Sequence, residues 1–163
     1  MNSFRNNSGW QVLRSVEAVD PQLAANTFDS KPSFAKNINA AVIRGLELIL
    51  AAIGSENGTS GVRIWGGRNV NSGPAQLIAD ITFTLGTMVC NKDPQTQKTT
   101  DLTRYADSAV VTSYWPTDIK AVNSGNNLMT TVSFDGLDIA WIAVEVISLT
   151  NVMKANIYFG YFG

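Results

Sequence analysis

The sequence predicts an all-β protein, a two-sheet antiparallel sandwich or jelly roll that follows an extended N-terminal arm. Three observations predict this class. Apolar and polar residues alternate in several short segments, Gly- and Asn-rich turns separate these segments, and 163 residues are enough for one independent core. We expect the arm to span residues 1–35 and the sandwich domain to span residues 36–163.

The clearest strand signal is "LIADITFTLGTMVC", residues 77–90. Ile81, Phe83 and Leu85 fall on one face, and the residues between them are polar. This pattern predicts a strand with one face on the core and the other in contact with solvent.

Four further strands are predicted in the C-terminal half. The segment 109–115, "AVVTSYW", is rich in β-branched and aromatic residues. The segment 130–149 contains two apolar runs separated by Asp135-Gly136, a dipeptide that suits a tight hairpin. The last run, 155–162, alternates with apolar side chains on both faces, so we expect both of its faces to be covered by protein.

The segment 33–53 fits two structures. Its apolar residues have helical spacing after Pro32, yet residues 42–53 also alternate as a strand. We favour a strand at 42–52 and another at 61–68, joined by a hairpin loop in "SENGTSG". The segment 91–107, in which aspartates are widely spaced, is predicted to be a solvated loop.

Composition argues against catalysis and cofactors. The chain has no histidine, which excludes Ser-His-Asp and Cys-His systems and histidine metal sites. The lone Cys90 cannot form a structural zinc site, and Asp135 and Asp138 are better explained by a turn than by glycosidase chemistry. Calcium on the acidic loop is disfavoured because its oxygen ligands are too sparse. We expect a protein that is not an enzyme and binds no cofactor or metal.

Charge and hydropathy also narrow the possible partners. The net charge is -1 and the twelve basic residues are scattered, which argues against nucleic acid. The longest apolar stretches are too short to span a bilayer, so we expect no association with a membrane. The first residues lack an apolar secretory segment, and one cysteine suits a reducing compartment, which predicts synthesis in a cytoplasm. Only 15% of residues are charged, a composition that favours burial against other proteins.

Aromatic residues are the best candidates for a binding surface. Trp65 lies beside two glycines and two arginines, as in protein–protein hot spots, and an exposed tryptophan can also stack on a sugar ring. The terminal strand carries four more aromatics. The predicted interface residues are Trp10, Trp65, Tyr158, Phe159, Tyr161 and Phe162.

The segments "LELILAAIGSENGTSGVRIWGGR", "IADITFTLGT", "SYWP", "VSFDGLDIAWIAVEV" and "KANIYFGYF" occur in this order within residues 42–163. In this order, and in its hairpin spacing and neutral composition, the chain resembles the β-sandwich virion proteins of tailed bacteriophages, in particular capsid decoration or cement proteins. The resemblance implies a homotrimer in the virion, seated on the outside of a shell built by a major capsid protein. A carbohydrate-binding module and a tail or neck component are the alternatives.

Overall fold

The computed structural model describes residues 10–18, 36–37, 45–68, 75–92, 99–115, 118–123, 129–135 and 139–162, and it is all-β in these ranges. The strands are β1 (Gln11–Glu17), β2 (Lys36–Asn37), β3 (Gly45–Gly67), β4 (Gln76–Lys92), β5 (Thr99–Ser113), β6 (Asp118–Asn123), β7 (Thr130–Asp135) and β8 (Trp141–Phe162).

All eight strands belong to one antiparallel sheet. Its main path is β1-β8-β3-β4-β5, while β7 pairs with the start of β3, β6 pairs with β7, and β2 pairs with the start of β8. Strands β1 and β6 each have one partner, so the sheet is open at these strands among the described residues.

The two longest strands, β3 and β8, pair along nearly their whole lengths and bend together at one point. Between Gly54 and Thr59 four residues of β3 oppose a single residue of β8, Asn151. Asn57 and Asn151 have positive φ angles of 63° and 56° there, a backbone region that asparagine tolerates better than most residues. Before the bend the second neighbour of β3 is first β7 and then, at Ala51 and Ala52, β5; after the bend it is β4.

One hydrophobic core joins the two sides of the bend. Leu46 and Leu48 enter it from the first half of β3, and Val62 and Ile64 enter it from the second half. Residues 77–90 form most of β4, and the predicted face of this strand is confirmed because Ile81, Phe83 and Leu85 are almost fully buried in that core.

The predicted break between residues 52 and 61 is wrong. β3 is continuous from Gly45 to Gly67, so "SENGTSG" is a bulged bend and no hairpin turn. The helical alternative is also wrong over residues 45–53. Both halves of β3 pair with β8. A bulge bends a strand without reversing its direction, so the chain continues along the same partner strand.

The predicted hairpin at Asp135-Gly136 is also wrong. β7 and β8 do not pair with each other in the described structure. They lie on opposite sides of β3, with Gly45 opposite both Asp135 and Phe162. The turn signal was local, whereas the pairing of β8 was decided by its long match with β3.

One further segment differs from the prediction. Residues 99–107 of the predicted solvated loop belong to β5, where Thr103 and Ala106 are buried. Within the predicted arm, β1 pairs with β8 and contributes Leu13 and Val16 to the core.

Candidate functional site

The candidate site lies on the surface of β3, β4 and β8 that faces away from the core. Val62 and Ile64 point into the core, so Arg63, which lies between them, and Trp65, which follows Ile64, point outward. Asp80 alternates with buried neighbours in the same way and lies opposite Arg63. Strand period therefore places an arginine, a tryptophan and an aspartate on one surface, which we call the outer face.

Arg63, Asp80 and Tyr114 form a fixed polar row on the outer face. Arg63 Nε donates to Asp80 Oδ1 at 3.1 Å, and the Tyr114 hydroxyl donates to Asp80 Oδ2 at 3.0 Å. Both carboxylate oxygens are thus used. The side chains of Arg63 and Asp80 are each 30% exposed, so the row is ordered and still accessible.

The hydrogen bond to Asp80 also acts on the acidity of Tyr114. Donation to the carboxylate, followed by the negative charge of Asp80, raises the pKa of Tyr114 above its ordinary value of 10.0. At neutral pH the phenol therefore keeps its proton and its hydrogen bond.

Trp65 is anchored from the neighbouring strand. Its Nε1 donates to Oε2 of Glu145 at 3.0 Å. Glu145 is fully buried, and its Oε1 has no hydrogen-bond partner. The half-buried indole is thus fixed at its polar edge while part of its surface reaches solvent.

A second aromatic contact lies where β3 and β5 end. The guanidinium of Arg68 is 5.5 Å from the ring centre of Trp115, within the range of a cation–π interaction. Trp115 packs partly against the core, whereas Arg68 is exposed.

The predicted interface residues have different surroundings. Trp65 is half-buried on the outer face, and Trp10 is half-buried against a small cluster of Ile49, Ala51 and Tyr158. Tyr158 and Phe159 are 0% and 2% exposed, so neither has surface to offer a partner. The side chains of Tyr161 and Phe162 lie outside the described part of the chain.

The burial of Tyr158 corrects one expectation about the last strand. Ile157 and Phe159 face the core as the alternation predicts, and Tyr158 faces the other way. The cover on that second face comes from the same chain, since Trp10 and Val12 pack against the cluster that contains Tyr158. An intrachain contact therefore takes the place of the partner that was expected at this residue.

Sequence reasoning did not identify Asp80, Tyr114 or Glu145 as site residues. The available signal was weak: Asp80 is a charged residue on the polar face of a predicted strand, and Glu145 is the one charge in the run 139–149. Their association depends on register, because β4 and β8 flank β3 from opposite sides.

Protein-family models, curated proteins and solved structures give no match to this chain. Among the described residues, no group of three or more Cys, Asp or Glu side chains could hold a metal ion. The same part of the chain contains no helix long and apolar enough to cross a membrane.

Proposed function

We propose that the protein is a capsid decoration or cement protein of a tailed bacteriophage, which binds the major capsid protein on the outside of an assembled shell through its outer face. The observation that carries the proposal is the anchoring of Trp65 by Glu145 beside the Arg63–Asp80–Tyr114 row. Tryptophan, tyrosine and arginine are the residue types enriched in interface hot spots.

Anchoring favours binding because less side-chain freedom is lost on association. Arg63, Trp65 and Tyr114 already have hydrogen-bond partners on a sheet, so a partner meets an ordered surface. Only 15% of the residues in the chain are charged, so a partner that covers the surface around the Arg63–Asp80–Tyr114 row has few charges to desolvate.

A shell supplies many identical copies of the docking site. A ligand that binds only the assembled form stabilises that form by mass action, and simultaneous contacts raise the apparent affinity. We also propose that the protein is a homotrimer and that each subunit is a two-layer sandwich, in which the bent sheet folds over its own core. The protein would be made in the host cytoplasm and act in the virion.

Binding to purified, expanded shells tests the proposal. Trp65→Ala and Tyr114→Ala are each expected to weaken co-sedimentation by about tenfold or more, the loss typical of a hot-spot residue. Val122→Ala, at an exposed position on β6, is the matched control and should bind normally. Melting curves must show that all three variants are folded. Wild-type protein that does not bind shells, or outer-face variants that bind like the control, would contradict the proposal.

The structure also determines how the N-terminal segment should be tested. Removal of residues 1–30 would delete Leu13 and Val16 from the core and so confound binding with folding. Removal of residues 1–9 leaves β1 intact. If the arm contributes to docking, this shorter deletion lowers shell occupancy without lowering the melting temperature.

A carbohydrate-binding module is the second candidate, and one observation favours it. Trp65 lies next to Arg63 on the outer face, and Arg63 is paired with Asp80, so a stacking ring stands beside charged hydrogen-bonding groups. A glycan array combined with tryptophan fluorescence tests this role. Saturable quenching that is lost in Trp65→Ala would favour binding to sugar over binding to a shell. A ring-like position of the protein in images of the virion would favour a tail or neck component.

A further inference from the structure

We propose that Asn57 is a site of spontaneous deamidation, at which the main-chain nitrogen of Gly58 attacks the side-chain amide of Asn57 and leaves aspartate or isoaspartate. The modification needs no enzyme, and water is its only co-reactant. It lies at the bend of β3 and does not depend on the proposed function, so either proposal can fail without the other.

The first step concerns the residue that follows Asn57. Asn57-Gly58 is the one place in the chain where an asparagine directly precedes a glycine. The attacking nitrogen belongs to the following residue, and a side chain on that residue hinders its approach to the amide carbon. Glycine has no side chain and allows close approach. The sequence therefore makes Asn57 the most reactive asparagine of the chain.

The second step concerns the position of Asn57 in the sheet. The ladder between β3 and β8 passes directly from Gly54 to Thr59, and the pairings of β3 with β4, β5 and β7 include none of residues 55–58. Asn57 is exposed and has a φ of 63°. Its amide is therefore open to water, and no opposed residue in the described strands holds its peptide group in the ladder.

Asn151 provides a comparison within the same bend. It is also exposed, and its φ of 56° is close to that of Asn57. The residue after it is Val152, whose β-branched side chain is buried in the core. The two asparagines thus share exposure and backbone conformation and differ in the following residue. Asn156 differs in another way, because it pairs with strands on both sides and its side chain is hydrogen-bonded.

The proposed reaction is balanced by water alone. The Gly58 nitrogen forms a bond to Cγ of Asn57 and releases its proton to solvent. The bond from Cγ to Nδ2 breaks, and the nitrogen takes up a proton and leaves as ammonia, so the product is a cyclic succinimide. Water then opens the ring. Hydrolysis at Cγ leaves aspartate, and hydrolysis at the main-chain carbonyl leaves isoaspartate, in which the chain runs through Cγ.

Isoaspartate does not fit the observed bend. It adds one methylene group to the main chain between residues 57 and 58, and it leaves a carboxylate beside Glu56. A Cβ atom on Gly58 would lie 2.8 Å from the carbonyl oxygen of Asn151 and 2.9 Å from that of Ser55, so the packing has no room for an added group. The modification therefore loosens the bend that joins the two halves of β3.

Mass spectrometry of the aged full-length chain tests the site. Folded wild-type protein is incubated at mildly alkaline pH and digested under acidic conditions, and each asparagine is followed by the mass change from amide to carboxyl. Asn57 should be converted first, with isoaspartate identified by isoaspartyl methyltransferase labelling, while Asn151 and Asn156 stay intact. Conversion of Asn151 at the same rate, or conversion of Asn57 only in urea, would overturn the proposal.

Melting curves of matched variants test the effect on the bend. Aged wild-type protein should melt below fresh wild-type protein. Asn57→Gln should keep its own melting temperature on ageing, because glutamine would have to form a larger ring, which closes more slowly. Fresh Asn57→Asp carries the new charge without the added methylene and should melt close to fresh wild type. Aged wild type that contains isoaspartate at residue 57 and melts like the fresh protein would overturn the effect on the bend, as would an equal loss in aged Asn57→Gln.

Discussion

Trp65 on β3 and Glu145 on β8 are joined by a hydrogen bond of 3.0 Å between indole Nε1 and carboxyl Oε2, although they are 80 positions apart in the sequence. The bond fixes the half-buried tryptophan of the outer face to a fully buried side chain. The indole of Trp65 is therefore held in place by a buried acceptor on the neighbouring strand.

The first prediction concerns this pair. Glu145→Ala should lower the free energy of unfolding by about 1–3 kcal/mol, because the indole N–H loses its acceptor in a partly buried place. Trp65→Phe should also destabilise, since it leaves the buried carboxyl group without its donor. Urea unfolding of both single variants and the double variant gives the coupling energy, and strictly additive losses would show that the bond contributes no stability.

The second prediction concerns alkaline pH. The pKa of Tyr114 is raised in the folded state by its hydrogen bond to Asp80, so its stabilising contribution is present below about pH 10 and is lost as pH rises through the folded-state pKa. The wild type should lose its advantage over Tyr114→Phe in that range.

Absorbance titration of tyrosinate measures the same effect directly. Asp80→Asn should lower the pKa of Tyr114, identified by subtraction of the Tyr114→Phe spectrum. Asp118→Asn removes an aspartate from β6 and serves as the control. An unchanged titration in Asp80→Asn would show that the hydrogen bond does not hold the proton.

The third prediction concerns the bend of β8. Asn151 has a φ of 56°, which costs non-glycine residues roughly 1–2 kcal/mol. Asn151→Gly should be neutral or slightly stabilising, and Asn151→Val should destabilise, because a β-branched residue fits this conformation poorly. Thr150→Val, at an exposed neighbour outside the positive-φ region, is the control. Equal melting temperatures for all three variants would contradict the strain argument.

The fourth prediction tests whether β1 is part of the cooperative fold or part of a detachable arm. Leu13 is 5% exposed and packs in the core, so Leu13→Ala should cost about 2–5 kcal/mol. Gln11→Ala, on the same strand but exposed, should cost much less. Chemical denaturation measures both, and a Leu13→Ala variant as stable as the wild type would place β1 outside the cooperative fold.

Short-range pattern was enough to predict the strand class and several faces. The alternation in residues 77–90 identified the buried side of β4, and the terminal alternation placed Ile157 and Phe159 in the core. Period-two alternation survives in any register because it depends only on which side of the strand meets the core. For the same reason, the outward position of Asp80 was readable from the sequence.

The sequence by itself determined the β class, the inward faces of β4 and β8, and the absence of histidine chemistry. Only the tertiary structure decided which segments are neighbours: the bend of β3, the separation of β7 from β8, the packing of Trp10 against the cluster that contains Tyr158, and the pairing of Trp65 with Glu145. The physical reason is that side-chain period is a local property, whereas strand pairing is a competition among all segments for long, well-matched partners.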